Sequence, residues 1–152
     1  MELVRLDLSD DGLAISLLAL QRRAYEVEAS LIGSRDIPPL QETLAELQGC
    51  GETFLGALVD GVIAGAISYR ILGETMDIHR LVVDPLRFRA GIGTALVRAA
   101  IAAEPSASYA IVQTGADNAP AKALYLREGF ERTDEVEVAP ELRVARFSRR
   151  LR

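Results

Sequence analysis

The stretch VVDPLRFRAGIGTAL, residues 82–96, decides how this chain is read. It opens as a strand, Pro85 stops the run, and Gly91 and Gly93 form a turn ahead of an alanine-rich helical segment. A strand, a glycine turn and a helix in that order aim several backbone N–H groups at one spot. The positive end of the helix favours an anion there. Without side chains on the glycines, a phosphate can come close to the main chain. Thr94 adds a hydroxyl in the first turn, and Arg87 and Arg89 raise the local potential. Taken alone, a G-x-G turn reads first as a tight connection with no ligand. The segment is not a Walker sequence, because no Gly-Lys-Ser/Thr follows. Nor is it a dinucleotide fingerprint, because Leu96 stands where a third glycine would be needed.

A second segment, NAPAKALYLREGF at 118–130, follows further along the chain. Asn118 is a good helix N-cap and Pro120 sits acceptably in the first turn. Ala121, Leu124, Tyr125 and Glu128 share one helical stripe, and Gly129 ends the helix. Tyr125 is either a core aromatic or a proton donor to a departing thiolate. Its ordinary pKa of about 10 lies above a thiol's value of about 8.5, so a strongly basic nascent thiolate must draw the proton.

Working outward, residues 2–7 read as a first strand and 13–28 as an amphipathic helix. A loop at 30–40 carries Pro38 and Pro39, and a short helix is expected at 40–47. Strands at 53–59 and 62–70 flank Asp60-Gly61, a hairpin signal. Another strand spans 75–84, a helix 91–104, a strand 109–114, a helix 118–128, and two strands complete the chain at 130–138 and 142–148. The order β-α-α-β-β-β-α-β-α-β-β describes one mixed α/β (α+β) domain over 1–152. Its sheet is mostly antiparallel, with a single β-α-β crossover.

The bulk properties fit one soluble domain that needs no disulfide or metal to bury a core. A net charge of -5 argues against nucleic acid as main partner. One cysteine, Cys50, allows no internal disulfide, and one histidine leaves too few ligands for a zinc cluster. With no apolar run long enough to span a bilayer and no signal-peptide pattern at the start, no membrane partner is expected and the expected location is the cytoplasm.

The two motifs together, strand–RFRxGIG turn–helix–strand–N-x-x-A-x-x-L-Y-x-x-x-G-F, resemble the GNAT superfamily of acyl-CoA-dependent N-acetyltransferases. The matching residues run from Asp77 to Phe130, and the remaining element order is similar to that fold, a mostly antiparallel sheet of about 6–7 strands with about 4 helices. One departure is Phe88, which stands where the family pattern usually has Gln or Arg. The resemblance implies that Arg89, Ala90, Gly91, Ile92, Gly93 and Thr94 bind the pyrophosphate of acetyl-CoA. It implies that the backbone of Leu81, Val82 and Val83 pairs with the pantetheine arm. Asn118 would contact the cofactor, and Tyr125 would sit by the thioester sulfur as catalytic acid.

The implied reaction is attack of a primary amine on a thioester. An amine with a pKa of about 10.4 is only about 0.04% neutral at pH 7, so deprotonation costs about 4.6 kcal/mol and a base is useful. The family often places a Glu where this chain has Asp77. Period-two alternation puts Asp77, His79, Leu81 and Val83 on one strand face. Asp77 and His79 are then the catalytic candidates, one as base and one as orienter, or both holding a water. Tyr25, Glu28 and Asp36 are the acceptor-binding candidates, since acidic groups attract an ammonium. The expected partner is an amine-bearing small molecule or a protein amino group, with a homodimer left open. A coenzyme A-binding module without turnover, and a site for another phosphate ligand, are the alternative readings.

Overall fold

The computed structural model describes residues 1–32, 42–88 and 90–152. Strand β1 (Glu2–Leu6) is followed by helices α1 (Asp11–Ile32) and α2 (Leu44–Gln48). Strands β2 (Thr53–Val59), β3 (Val62–Leu72) and β4 (Thr75–Val83) form a meander. A 3-10 turn (Pro85–Arg87) leads to α3 (Ile92–Ala103), then β5 (Tyr109–Gly115), α4 (Ala119–Arg127), β6 (Glu131–Ala139) and β7 (Leu142–Arg150). This is the element order expected from the sequence. Helix α1 runs past the expected end at 28, because no glycine or proline interrupts residues 13–32. The second helix starts later than expected, at a capping box: the Glu46 amide donates to Thr43 Oγ1 at 3.2 Å and the Thr43 amide to Glu46 Oε1 at 3.0 Å.

All seven strands join one sheet in the order β1-β2-β3-β4-β5-β7-β6. Every neighbouring pair is antiparallel except β4 and β5. The β2–β3 turn is tight because Asp60 and Gly61 both take positive φ, 52° and 78°, the geometry that Asp-Gly supplies. Helices α1 and α2 cover one face, where Leu6, Leu17, Leu20, Leu47, Phe54 and Val82 are buried together. On the opposite face α3 and α4 pack Ile92, Leu96, Val97 and Tyr125 against Ile67, Met76, Ile78 and Phe147.

Two backbone features open a cleft in this sheet. First, β4 and β5 pair over only three positions, Thr75–Tyr109, Met76–Ala110 and Asp77–Ile111. Beyond Asp77 the strands part, and residues 81–83 keep ladder partners only on the β3 side. Second, Ser68 pairs with Arg80 and Tyr69 with Ile78, so His79 is an extra residue in β4. A bulge of this kind shifts the side-chain alternation by one. Met76 and Ile78 face the α3–α4 core before it, whereas Leu81 and Val83 pack on that core after it, with Val82 turned to the α1–α2 side. The expectation that Asp77, His79, Leu81 and Val83 share one face is therefore corrected: the bulge divides Asp77 from Leu81 and Val83.

Candidate active site

The expected phosphate turn lies at the wide end of the cleft. Gly91 is the N-cap of α3 with φ 77°, a conformation that costs about 1–2 kcal/mol for other residues. No side chain caps the helix and no acidic residue lies in its first turn, so the leading amides keep their donor capacity. A side chain at Gly93 would press within 3.3 Å of Leu124 and reach toward Val83 and Leu81. Gly65 lets the helix close on the sheet, since a Cβ there would lie 2.7 Å from Ile92 Cγ2 and 3.0 Å from the Val82 carbonyl. A bare backbone edge on β4, open space beside Gly91 and an uncapped helix end suit an extended ligand ending in phosphate. Ala90 and Gly91 are exposed, Thr94 is half-buried, and Ile92 is a core anchor. Arg89 and Asp36 lie outside the described residues.

Asn118 caps α4, its Oδ1 accepting from the Ala121 amide at 3.2 Å. Its side chain also hydrogen-bonds Glu28 of α1, and the Gly115 backbone joins it there. Burial raises the Glu28 carboxyl above its ordinary value, and these two contacts only partly offset that. Tyr125 is buried against Phe130 and Phe147, with ring centroids 5.6 and 5.7 Å away. Burial first, and the Glu28 charge second, push its phenol well up, so it stays protonated. Glu28 therefore belongs with Asn118 and Tyr125, a grouping the sequence did not reveal, since no local pattern joins α1 to the end of β5.

On the α1–α2 side of the sheet, Asp77 Oδ2 lies 3.2 Å from His79 Nε2. His79 Nδ1 lies 3.6 Å from Glu52 Oε2. Glu52 accepts from Ser68 Oγ at 2.6 Å and from Arg80 Nε at 2.9 Å. Arg80 also grips Glu42 and donates to Gln21 Oε1 at 3.0 Å. Burial alone would weaken the charge on Arg80, but the Glu42 and Glu52 hydrogen bonds outweigh it and hold the guanidinium firmly protonated. For Glu52, burial pushes upward, while Arg80 and Ser68 together bring the carboxyl below its ordinary value. This network ties β4 to α1, to β3 and to the segments just ahead of α2 and β2. None of its long-range pairs has a signature in the sequence.

Tyr25 lies in the interior. It is buried in the α1–α2 core, where burial raises its phenol and Arg80 partly offsets the shift. Asp77 and His79, by contrast, border a cavity of about 480 Å³ where β4 and β5 part. Ile111, Gln113, Thr133, Arg146 and Ser148 complete its accessible wall. Among the described residues no group of three or more His, Cys, Asp or Glu side chains could hold a metal ion, and no helix is long and apolar enough to cross a membrane.

The sheet is thus splayed at its centre, an uncapped helix stands at the mouth of the split, and a histidine–carboxylate pair lies at its crotch. The chain belongs to the acetyltransferase (GNAT) family, whose model matches residues 16–130. It is 38% identical over 135 residues to UPF0157 protein YqkA of Bacillus subtilis (strain 168), a match that covers 89% of this chain but 39% of that protein. The chain thus spans well under half the length of this curated relative. Among solved structures, PaiA N-acetyltransferase of Thermoplasma acidophilum, in complex with coenzyme A, aligns over 98% of both chains with TM-score 0.79 and 17% identity. The smu.2055 protein of Streptococcus mutans UA159 aligns over 100% of both, with TM-score 0.82 and 17% identity. The ribosomal-protein-S18-alanine N-acetyltransferase of Escherichia coli aligns over 99% of this chain and 93% of its own, with TM-score 0.78 and 17% identity. Likeness at that identity establishes the fold.

Proposed function

We propose that this chain transfers the acetyl group of acetyl-CoA to a primary amine. The observation that carries the reading is the coincidence, in one cleft, of an unpartnered β4 edge and the uncapped start of α3. The α3 amides and the Gly91–Gly93 turn would hold the pyrophosphate, with the backbone of residues 81–83 lying along the pantetheine arm and Asn118 closing the other side. When bound, acetyl-CoA supplies an acyl carbonyl activated as a thioester.

The residues of the chain then divide the proton work. An acceptor ammonium entering the cavity meets Asp77 and His79, whose contact lets either receive the proton while the other orients it. Behind them Glu52, itself fixed by Arg80 and Ser68, sets a carboxylate 3.6 Å from the imidazole. Tyr125 keeps its proton through burial and would hand it to the departing sulfur.

A thermal-shift comparison of acetyl-CoA, ATP and NAD tests the ligand, and release of free thiol with a panel of amines tests the reaction. Stabilisation by acetyl-CoA alone together with amine-dependent thiol release is expected. Stabilisation without thiol release from any amine would make the chain an acyl-CoA-binding module, and preference for ATP or NAD would overturn the ligand assignment.

A further inference from the structure

The cavity beside Asp77 has two electrical ends. Asp77 and His79 stand at one end, and Gln113 and Ser148 offer polar groups between. Arg146 stands at the other end, half exposed. Its side chain is less engaged than those of Arg80 and Arg98. Arg80 is buried in hydrogen bonds to Glu42, Glu52 and Gln21, and Arg98 binds Glu128 at 2.8 Å. The carboxylate facing Arg146 is Asp134, 3.7 Å away and equally exposed, beyond hydrogen-bond length and worth little in water. The guanidinium fork therefore has donors to offer to a planar anion in the cavity.

The register places the two ends at a useful separation. Asp77 pairs with Ile111, Ile111 with Ser148, and Gln113 with Arg146. Two strand spacings across and two residues along put the Asp77 and Arg146 Cα atoms about 12 Å apart. The Arg146 guanidinium is turned toward Asp134 of β6, and the separation of about 12 Å between the two Cα atoms leaves room for a molecule of a few bonds between it and the Asp77 carboxylate. The net charge of the protein is -5, so an anionic group entering here needs a local cation, and Asp77 repels it from the wrong end.

We propose that the acceptor is a small zwitterionic amine, of the free amino-acid type, with Arg146 reading its carboxylate and thereby delivering its amine to Asp77 and His79. This rests on the acetyl-transfer reading above. The assignment makes Arg146 a specificity-determining residue. It also disfavours amino groups on peptides and proteins, which lack a carboxylate next to the reacting amine.

The test compares free amino acids with their carboxamides, first as acetyl acceptors by thiol release and then as ligands by calorimetry with coenzyme A present. Acids are expected to outperform amides by about tenfold in kcat/KM and in affinity. Arg146→Met should abolish that preference by raising KM for the acids, and Arg146→Lys should restore part of it. Equal use or equal binding of acids and amides by the parent protein overturns the proposal, as does a preference that survives Arg146→Met. If no amine of any kind yields thiol, the acetyl-transfer reading fails, and the calorimetric comparison still decides whether Arg146 reads a carboxylate.

Discussion

Asp77 Oδ2 and His79 Nε2 lie 3.2 Å apart at the point where β4 gains its extra residue. The same imidazole reaches Glu52 at 3.6 Å on its other nitrogen. One ring thus lies between a carboxylate that borders the cavity and a carboxylate buried behind the strand. Removing the Asp77 charge tests this arrangement directly. Asp77→Asn should lower turnover by about 10²-fold or more and alter the acid limb of the pH–rate profile. A profile of unchanged shape would remove Asp77 from proton transfer.

Tyr125→Phe should separate chemistry from folding. The ring keeps its contacts with Phe130 and Phe147, so the melting temperature should move little, while turnover falls by about tenfold to a hundredfold. Steady-state thiol release and a thermal melt check the two halves; equal turnover in parent and variant would end the acid role.

Two glutamates should respond to neutralisation with opposite signs. The Glu52 carboxyl is held below its ordinary value in the fold. Its contribution is therefore present above the unfolded value and fades as pH falls through the lowered folded value. Glu52→Gln should destabilise by about 1–3 kcal/mol near neutral pH, with the deficit shrinking in acid. Glu28 is raised by burial, so its ionisation opposes folding as pH rises from its ordinary value through the raised one. Glu28→Gln should leave stability at pH 7 equal or higher, with any gain vanishing in acid. Denaturant melts of both variants at pH 7 and pH 4 decide between these signs.

Gly65→Ala links packing to the cleft. The added Cβ would meet Ile92 Cγ2 at 2.7 Å and the Val82 carbonyl at 3.0 Å. Only the side chain can yield, so α3 should lift at its first turn. We expect a loss of about 1–3 kcal/mol in stability together with weaker coenzyme A binding by calorimetry. Lost stability with unchanged binding would show that the start of α3 is not the ligand's seat.

The elements were legible because their signals are local. Asp60-Gly61 marks a hairpin, Pro85 a strand end, and Asn118 and Gly129 the two ends of α4, and each occupies that place. Long-range features were not legible. A one-residue bulge at His79 leaves no compositional trace, yet it reverses which β4 residues face the cleft. Arg80 reads in sequence as a polar residue on a half-buried strand, and only the fold brings Glu42, Glu52 and Gln21 to it. Glu28 stands out in the sequence as an acidic candidate for acceptor binding, but nothing there marks it as a neighbour of Asn118. Arg146 lies in the last of the strands expected from the sequence, and its place on the cavity wall depends on β7 inserting between β5 and β6.

The three-rung joint between β4 and β5 has a mechanical meaning. It divides the sheet into two leaves, one of β1 to β4 and one of β5, β7 and β6, stitched edge to edge only between Thr75 and Asp77 on one side and Tyr109 and Ile111 on the other. A ligand lying along the free β4 edge and touching Asn118 at the end of the other leaf would act as a splint. Recognition and stiffening are then the same event, and the amide hydrogens within residues 81–83 that point away from β3 become its natural gauge, exchanging with solvent in the bare protein and slowing when the splint is in place.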